Sequence, residues 1–346
     1  MQTPREVVLA GIKSKAYPGA AWAYGNKTSI TVDTAGTYRF EDNSTPVRHD
    51  SLFDIASLTK VVGTTTAVMW AVSKGLLKIT DPVIKYLPSY PSGEVTIKHL
   101  LQHDSGMPAY LVSLKNQVST RDAAIERIIT TKPTAKPGEQ TTYSCLNFIL
   151  LMLIVEKVAG KPIDQVLAPL FVELGMNQTV FVPKDRELCL PTGPYEDWRN
   201  KFGSKPQDFV QGEVHDPLAR CLGGLSGNAG LFSTIEDLAQ FCSAILSQKP
   251  EWWQQDWAIQ QSSKSSRALG WDTKSPSGSS AGNLFGPKSF GHTGFTGTCI
   301  WIDPDAKIFA VLLTNRVHPN EENLQIAQVR PQFHDAVYRR LMGASD

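Results

Sequence analysis

The stretch Phe53-Asp-Ile-Ala-Ser57-Leu-Thr-Lys60, running on through Val61-Val-Gly-Thr-Thr-Thr-Ala-Val-Met-Trp-Ala-Val-Ser-Lys74-Gly75, decides how this chain is read. Leu52–Ile55 leads into a segment whose apolar positions (Val61, Val62, Thr65, Val68, Met69, Val72) recur at helical spacing. Gly75 then offers a left-handed C-terminal cap. Ser57 and Lys60 stand at the predicted start of this helix. A separation of three places both on one face, one turn apart. A partly desolvated lysine has a lowered pKa and can take the serine proton. The helix N-terminus adds partial positive charge where an oxyanion would form. Ser-x-x-Lys occurs once in the chain, but a motif fixed at two positions also arises by chance, so its weight depends on its surroundings.

Working outward, Gly19–Gly25 and Ser29–Gly36 read as two strands joined by a tight turn at Asn26-Lys27. The preceding MQTPREVVLAGIKSK reads as a short amphipathic helix. From about 76 to 232 helical patterns dominate, broken by Pro and Gly: Val95–Gln102, Thr120–Ile129, Asn147–Val158 and Ile163–Leu174. Beyond them come a helix at Ile235–Leu246, strands at Cys299–Ile302 and Ile308–Thr314 around the turn Asp303-Pro-Asp305, and a helix over roughly 322–341. Residues 273–288 read as a surface loop. Strands at both ends with helices between them predict an α/β (α+β) fold. Residues 1–75 and 233–346 would build an antiparallel sheet flanked by helices, 76–232 an inserted, mostly helical domain, and the active site would lie at their interface.

Composition narrows the function classes. The chain has 346 residues, 41% hydrophobic and 19% charged, which is the balance of a globular protein. Lys+Arg 34 against Asp+Glu 33 gives +1, and there is no long basic run, so no nucleic-acid partner is expected. No segment reaches the ~18–20 apolar residues of a membrane span. No secretory leader is read at the N-terminus, so the expected compartment is the cytoplasm, or the periplasm or exterior if a leader has been removed. Five scattered cysteines without CxxC predict neither a disulfide framework nor a zinc site. No cofactor is expected, and oligomeric state is left open.

Two further motifs follow Ser-x-x-Lys in order: Thr142-Tyr143-Ser144-Cys145, opening a helix after Lys136-Pro-Gly-Glu139, and Gly291-His292-Thr293-Gly294, ahead of a strand. Together with Leu100-Leu-Gln-His-Asp-Ser-Gly-Met-Pro108 and Gly230-Leu-Phe-Ser-Thr-Ile-Glu-Asp-Leu238, these resemble the superfamily of serine β-lactamases, penicillin-binding proteins (DD-peptidases) and family VIII esterases. The likeness runs from about Pro18 to Asn315. It implies a β-lactamase/transpeptidase-like fold and a serine hydrolase that acts through an acyl-enzyme on an ester or amide, a β-lactam or D-Ala-D-Ala peptide among them. Ser57 would be the nucleophile, Lys60 and Tyr143 the proton-handling pair, and the backbone N–H groups of Ser57 and Phe295 the oxyanion hole. His292, Thr293, Gly294 and Cys145 would face the substrate, and Gly223–Gly230 would wall the pocket. The partner would be a small molecule or peptide.

Two departures stand out. His292 replaces the Lys of many relatives, so carboxylate recognition would depend on an imidazole expected to titrate between about pH 6 and 8. Cys145 replaces an Asn or Asp and is a poor hydrogen-bonding substitute. Both predict better turnover of short activated esters than of lactams. Acyl transfer to an amine or alcohol would use the same residues, whereas a non-catalytic binding module would usually lack Ser57, Lys60 or Tyr143. Rival signals are weaker. Gly278-Ser-Ser280-Ala-Gly282 matches a nucleophile elbow but lacks its strand and helix. His99 and His103 have metal spacing without the glutamate, and His103 is expected to bond the turn at Ser105-Gly106. His215 and Asp216 read as a second polar pair near the pocket, which either orders its loop or takes part in catalysis. Trp252, Trp253 and Trp257 read as a helix face packed on the core.

Overall fold

The computed structural model describes residues 2–259 and 265–343. Six strands form one antiparallel sheet in the order β2-β1-β9-β8-β7-β6, with β1 Gly19–Gly25, β2 Ile30–Gly36, β6 Asp272–Thr273, β7 Phe290–Thr293, β8 Cys299–Asp303 and β9 Ile308–Thr314. Both chain ends therefore supply the sheet. The inner strands β1, β8 and β9 are buried on both faces because both faces are covered, whereas the edge strand β2 is half-exposed. Phe309, Val311 and Leu313 of β9, with Ala21 and Ala23 of β1, join the large core shared with the helical region. The alternate residues Ala310, Leu312, Ala20 and Trp22 pack against the helices Pro4–Lys13 and Ile326–Met342. A capping box between Thr3 and Glu6 starts the first of these helices.

Helices fill the region between. Cys145–Ala159 is buried along Cys145–Val155, as a helix at the centre of a core must be, so its sequence carries little amphipathic signal. A second sheet, β3-β5-β4, was not anticipated. It consists of β3 Phe53–Asp54, β4 Val180–Phe181 and β5 Leu231–Ser233. Strands this short leave no period to read. Their pairing (Phe53 with Ser233, Val180 with Phe232) ties the residues before Ser57 to the end of the helical region.

The helix after Ser57 differs from its expected form. Lys60–Thr65 is π-helical and continues as an α-helix over Thr66–Ser73, with Gly75 at φ +70°. The hydroxyls of Thr65 and Thr66 reach back to the carbonyls of Lys60 (2.8 Å) and Val61 (3.2 Å), five residues earlier. Such wide turns recur at functional sites. The tryptophans do not share a helix face. Trp252 and Trp253 lie in a turn and Trp257 in the short 3₁₀ segment Gln255–Ala258, all three buried.

Candidate active site

Ser57 occupies the turn between β3 and the helix, and that turn is strained. Ala56 has φ +46°, a region costing L-residues about 1–2 kcal/mol. Several bonds hold it there. The buried Asp54 carboxylate accepts the N–H groups of Ala56 (2.8 Å) and His215 (2.7 Å). The Thr296 hydroxyl donates to the Asp54 carbonyl (2.7 Å) and the Thr298 hydroxyl to that of Ile55 (3.1 Å). Burial raises the Asp54 pKa against the opposing pull of its His215 and Ala56 N–H bonds.

Lys60 is fully buried. Its Nζ donates to Ser57 Oγ (3.1 Å) and to the Asn228 carbonyl (2.8 Å), lies 3.7 Å from Cys145 Sγ, and stands 5.0 Å from the centre of the Tyr143 ring. Burial works against its charge. Cys145 and Tyr143, when ionised, and Asp216 pull the other way and leave the Lys60 pKa raised. Burial also pushes the Cys145 thiol up, so near neutral pH the thiol is protonated and that part of the pull is absent. Asn228 is itself fixed by Ser226 (2.7 Å) and Asp216 (3.1 Å). Asp216 in turn caps the helix Pro217–Cys221 and accepts from Tyr110 (3.1 Å). The Gly223–Gly230 loop thus reaches the site through the Asn228 carbonyl and Ala229.

The third wall is β7 and the arch after it. His292 is buried, with Nδ1 at 2.8 Å from the Thr293 carbonyl. Burial, Arg267 and Lys60 hold its pKa well below the usual imidazole value. It is therefore neutral across the range in which it was expected to titrate, and it cannot supply a cation for a carboxylate. Gly294 allows close approach: a Cβ there would meet Thr298 Oγ1 at 2.0 Å and the Ile55 carbonyl at 2.7 Å. Neither the Ser57 nor the Phe295 N–H donates to an acceptor among the described residues.

Two cavities meet at Ser57, Tyr143 and Phe295. One, of ≈ 470 Å³, is lined by Arg267, Arg316 and Arg330 as well as by His292 and Thr293. The other, of ≈ 440 Å³, is lined by Tyr110, Cys145, His215, Asp216 and Glu321. The arginines carry no motif and were not singled out in the sequence; only the fold gathers them. Among the described residues Arg267 has one loose carboxylate partner, Asp272 at 3.8 Å, and it stands 5.1 Å from the Tyr143 ring. Arg316 and Arg330 form no carboxylate ion pair among the described residues. The His215–Asp216 pair lines the second cavity and orders its surroundings: His215 Nε2 meets Glu321 (2.8 Å) while its N–H helps to fix the Ser57 turn.

The remaining candidates fall outside the reacting centre. His103 does not bond the Ser105-Gly106 turn. Its Nδ1 accepts from the N–H of Ser144 (3.0 Å) and its ring lies 4.6 Å from that of Tyr143. Burial keeps it neutral, aided by Arg267, Lys60 and His292. His99 turns back to cap its own helix through the N–H of Thr96 (3.1 Å). Ser280 lies in a loop and accepts from Trp301 Nε1 (3.0 Å).

Comparison with known proteins completes the picture. The family model described as Beta-lactamase matches residues 5–332. A Bacillus subtilis (strain 168) protein named N-acetylmuramyl-L-alanine amidase is 31% identical over 304 residues, 78% of this chain and 68% of its own. An Escherichia coli (strain K12) protein with the provisional name D-alanyl-D-alanine carboxypeptidase is 30% identical over 305 residues, 78% of this chain and 70% of its own. Among solved structures, EstCE1, a hydrolase with promiscuous acyltransferase activity, superposes with a TM-score of 0.76 over 97% of both chains at 20% identity, a likeness of fold.

Proposed function

This chain belongs to the beta-lactamase family and is a serine hydrolase, and from that premise we propose that Ser57 is its nucleophile and that its substrates are carboxylate-bearing amides or esters of the cell-wall peptide kind. Ser57 Oγ attacks the carbonyl carbon and gives up its proton. The pair of Lys60, touching Oγ, and Tyr143, whose ring faces Lys60, receives it only in the state in which the two together have one proton fewer than an ammonium and a phenol. The raised Lys60 pKa keeps the ammonium as the resting form, and the pair returns the proton to the leaving nitrogen or oxygen. The oxyanion forms between the N–H groups of Ser57 and Phe295. Water then repeats the attack on the acyl-enzyme, with the same pair taking and returning a proton. The unit 1–75 with 233–346 and the inserted unit 76–232 form the two walls.

The arginine lobe is the observation that carries the substrate class. Three guanidiniums beside a nucleophile, with one loose carboxylate partner among them, make a field that favours an anion. Arg316 and Arg330 hold backbone carbonyls and Arg267 holds none among the described residues, so Arg267 is assigned the substrate carboxylate. The two relatives, an amidase and a carboxypeptidase by name, support peptide substrates whose free ends are carboxylates. The test uses an acylated D-Ala-D-Ala peptide, its carboxamide and N-acetylmuramyl-L-alanine. The free acid should exceed the carboxamide by about tenfold or more in kcat/KM, and Arg267→Gln should remove that ratio. Equal turnover of acid and carboxamide would refute the substrate class. Release of alanine from the muramyl compound alone would select the amidase reaction.

A further inference from the structure

We infer that Arg330 and Arg316 are positioning residues that hold the Phe295 N–H in its anion-binding direction by gripping the carbonyls on either side of it. This rests on the reading of Ser57 as nucleophile and Phe295 N–H as an oxyanion donor. Phe295 follows β7 in the turn that closes the β7–β8 hairpin: the Gly294 N–H donates to the Thr298 carbonyl (2.8 Å) and the Gly297 N–H to the Gly294 carbonyl (3.1 Å). One turn bond of 3.1 Å is a modest hold on the peptide plane that carries the Phe295 N–H. Arginine side chains reinforce it carbonyl by carbonyl. Arg330 Nη2 donates to the Gly294 carbonyl (2.7 Å) and to that of Thr298 (2.9 Å). Arg316 Nε donates to the Phe295 carbonyl (2.8 Å), and the Arg316 backbone N–H donates to that of Thr296 (2.9 Å).

The geometry of the peptide unit does the rest. The Gly294–Phe295 bond is trans, so its C=O and N–H point in opposite directions. Drawing the carbonyl toward Arg330 turns the N–H away from Arg330 and into the cleft. Arg316 is anchored in turn on the carbonyls of Glu321 and Asn323 (both 3.1 Å), and Arg330 belongs to the helix Ile326–Met342, which is packed under the sheet. The clamp is therefore built on rigid elements. Both guanidiniums lack carboxylate partners among the described residues, so they also polarise the peptides they hold and strengthen the N–H as a donor. Arg316 commits Nε and Nη1 to carbonyls and Arg330 commits Nη2, its buried Nε having no partner among the described residues; holding backbone carbonyls in this way separates their role from substrate binding by Arg267.

The experiment compares wild type with Arg330→Met, Arg330→Lys and Arg316→Lys, using p-nitrophenyl acetate and a fluorophosphonate, from which Ser57 Oγ displaces fluoride. In Arg330→Met, kcat for the ester and the fluorophosphonate labelling rate should fall together by about 10²–10³-fold, the usual cost of an oxyanion donor. KM for this neutral ester should move by less than about threefold. Arg330→Lys, which can still hold one carbonyl, should recover about tenfold of the loss. A folded Arg330→Met with both rates within threefold of wild type, or with the whole effect in KM, would overturn the clamp. If Arg330→Met does not fold, the two lysine variants decide: a fall of about fivefold or more in kcat supports the clamp, and full rates overturn it. Wild type that is not labelled at Ser57 refutes the hydrolase assignment itself, and the clamp with it.

Discussion

Asp54→Ala tests whether the strained turn under Ser57 depends on one carboxylate. Asp54 accepts two N–H bonds at 2.8 and 2.7 Å and is almost fully buried, so alanine leaves two buried donors without an acceptor. Each such loss costs about 1–3 kcal/mol. Part is offset because the variant no longer buries a carboxylate, leaving an expected net loss of about 2–4 kcal/mol. Activity should fall further than stability implies. Without its acceptor Ala56 relaxes toward negative φ, and a shift of about 1 Å at Ser57 costs about 10²-fold in kcat. Asp54→Asn keeps one acceptor and should fall between. Urea unfolding at constant m-value gives the stability, and p-nitrophenyl acetate turnover gives kcat. The pH dependence has a definite sign. Burial raises the Asp54 pKa above the ordinary value of 3.8 for an aspartate, so the folded chain holds this proton to higher pH than the unfolded chain. The Asp54 contribution to stability therefore declines as pH rises from 3.8 through the folded value, and the deficit of Asp54→Ala is largest at the acidic end. A variant within 0.5 kcal/mol of wild type that also keeps kcat within threefold would refute the reasoning.

Ser57→Ala should remove turnover by about 10⁴–10⁶-fold with the fold intact by circular dichroism, whereas Ser280→Ala should keep kcat and lose about 1 kcal/mol in a thermal melt, because the Trp301 N–H loses its acceptor. KM for a carboxylate-bearing substrate should stay flat between pH 6 and 8, since His292 is already neutral there; an inflection near pH 6.5 that disappears in His292→Gln would contradict this. Equilibrium stability should instead fall on acidification below about pH 6.5, by up to about 1.4 kcal/mol per pH unit for each of His103 and His292, because the unfolded chain takes up protons that the folded chain excludes. Cys145→Asn should raise kcat/KM for nitrocefin by about tenfold relative to p-nitrophenyl butyrate by restoring an amide beside Lys60; no change in that ratio would mean that the thiol does not limit lactam turnover.

The sheet was legible where its strands are long. Gly19–Gly25 and Ile308–Thr314 carry apolar runs that no other element would need, the Gly75 cap and Ile235–Leu246 follow from capping and period, and the helix near 145 shows as a long apolar run without a polar face. The short strands at 53–54, 180–181, 231–233 and 272–273 were not legible, because two or three residues have no periodicity and are set by their partners. Ser57, Lys60 and Tyr143 were singled out by motif order, and the fold brings them together. Arg267, Arg316 and Arg330 were invisible for the opposite reason. They come from three separate segments, share no spacing, and converge only after the sheet is built. The acidity of His292 was misjudged because burial and neighbouring cations, neither readable from a one-dimensional string, decide it.

With its amide in the proposed oxyanion role, Phe295 divides two tasks between the two parts of one residue. Its main chain is fastened on both sides, while its ring, 48% exposed, belongs to the walls of both cavities and lies against Arg316 (4.5 Å) and His215 (5.8 Å). The amide is common to every amino acid except proline, whereas the ring is not. The size and polarity of the partition between an arginine-rich chamber and an acidic one can therefore change by single substitution while the amide stays in place. On this scaffold, diversification of substrate range and conservation of chemistry do not compete for the same atoms, and position 295 is the natural first site for a saturation library.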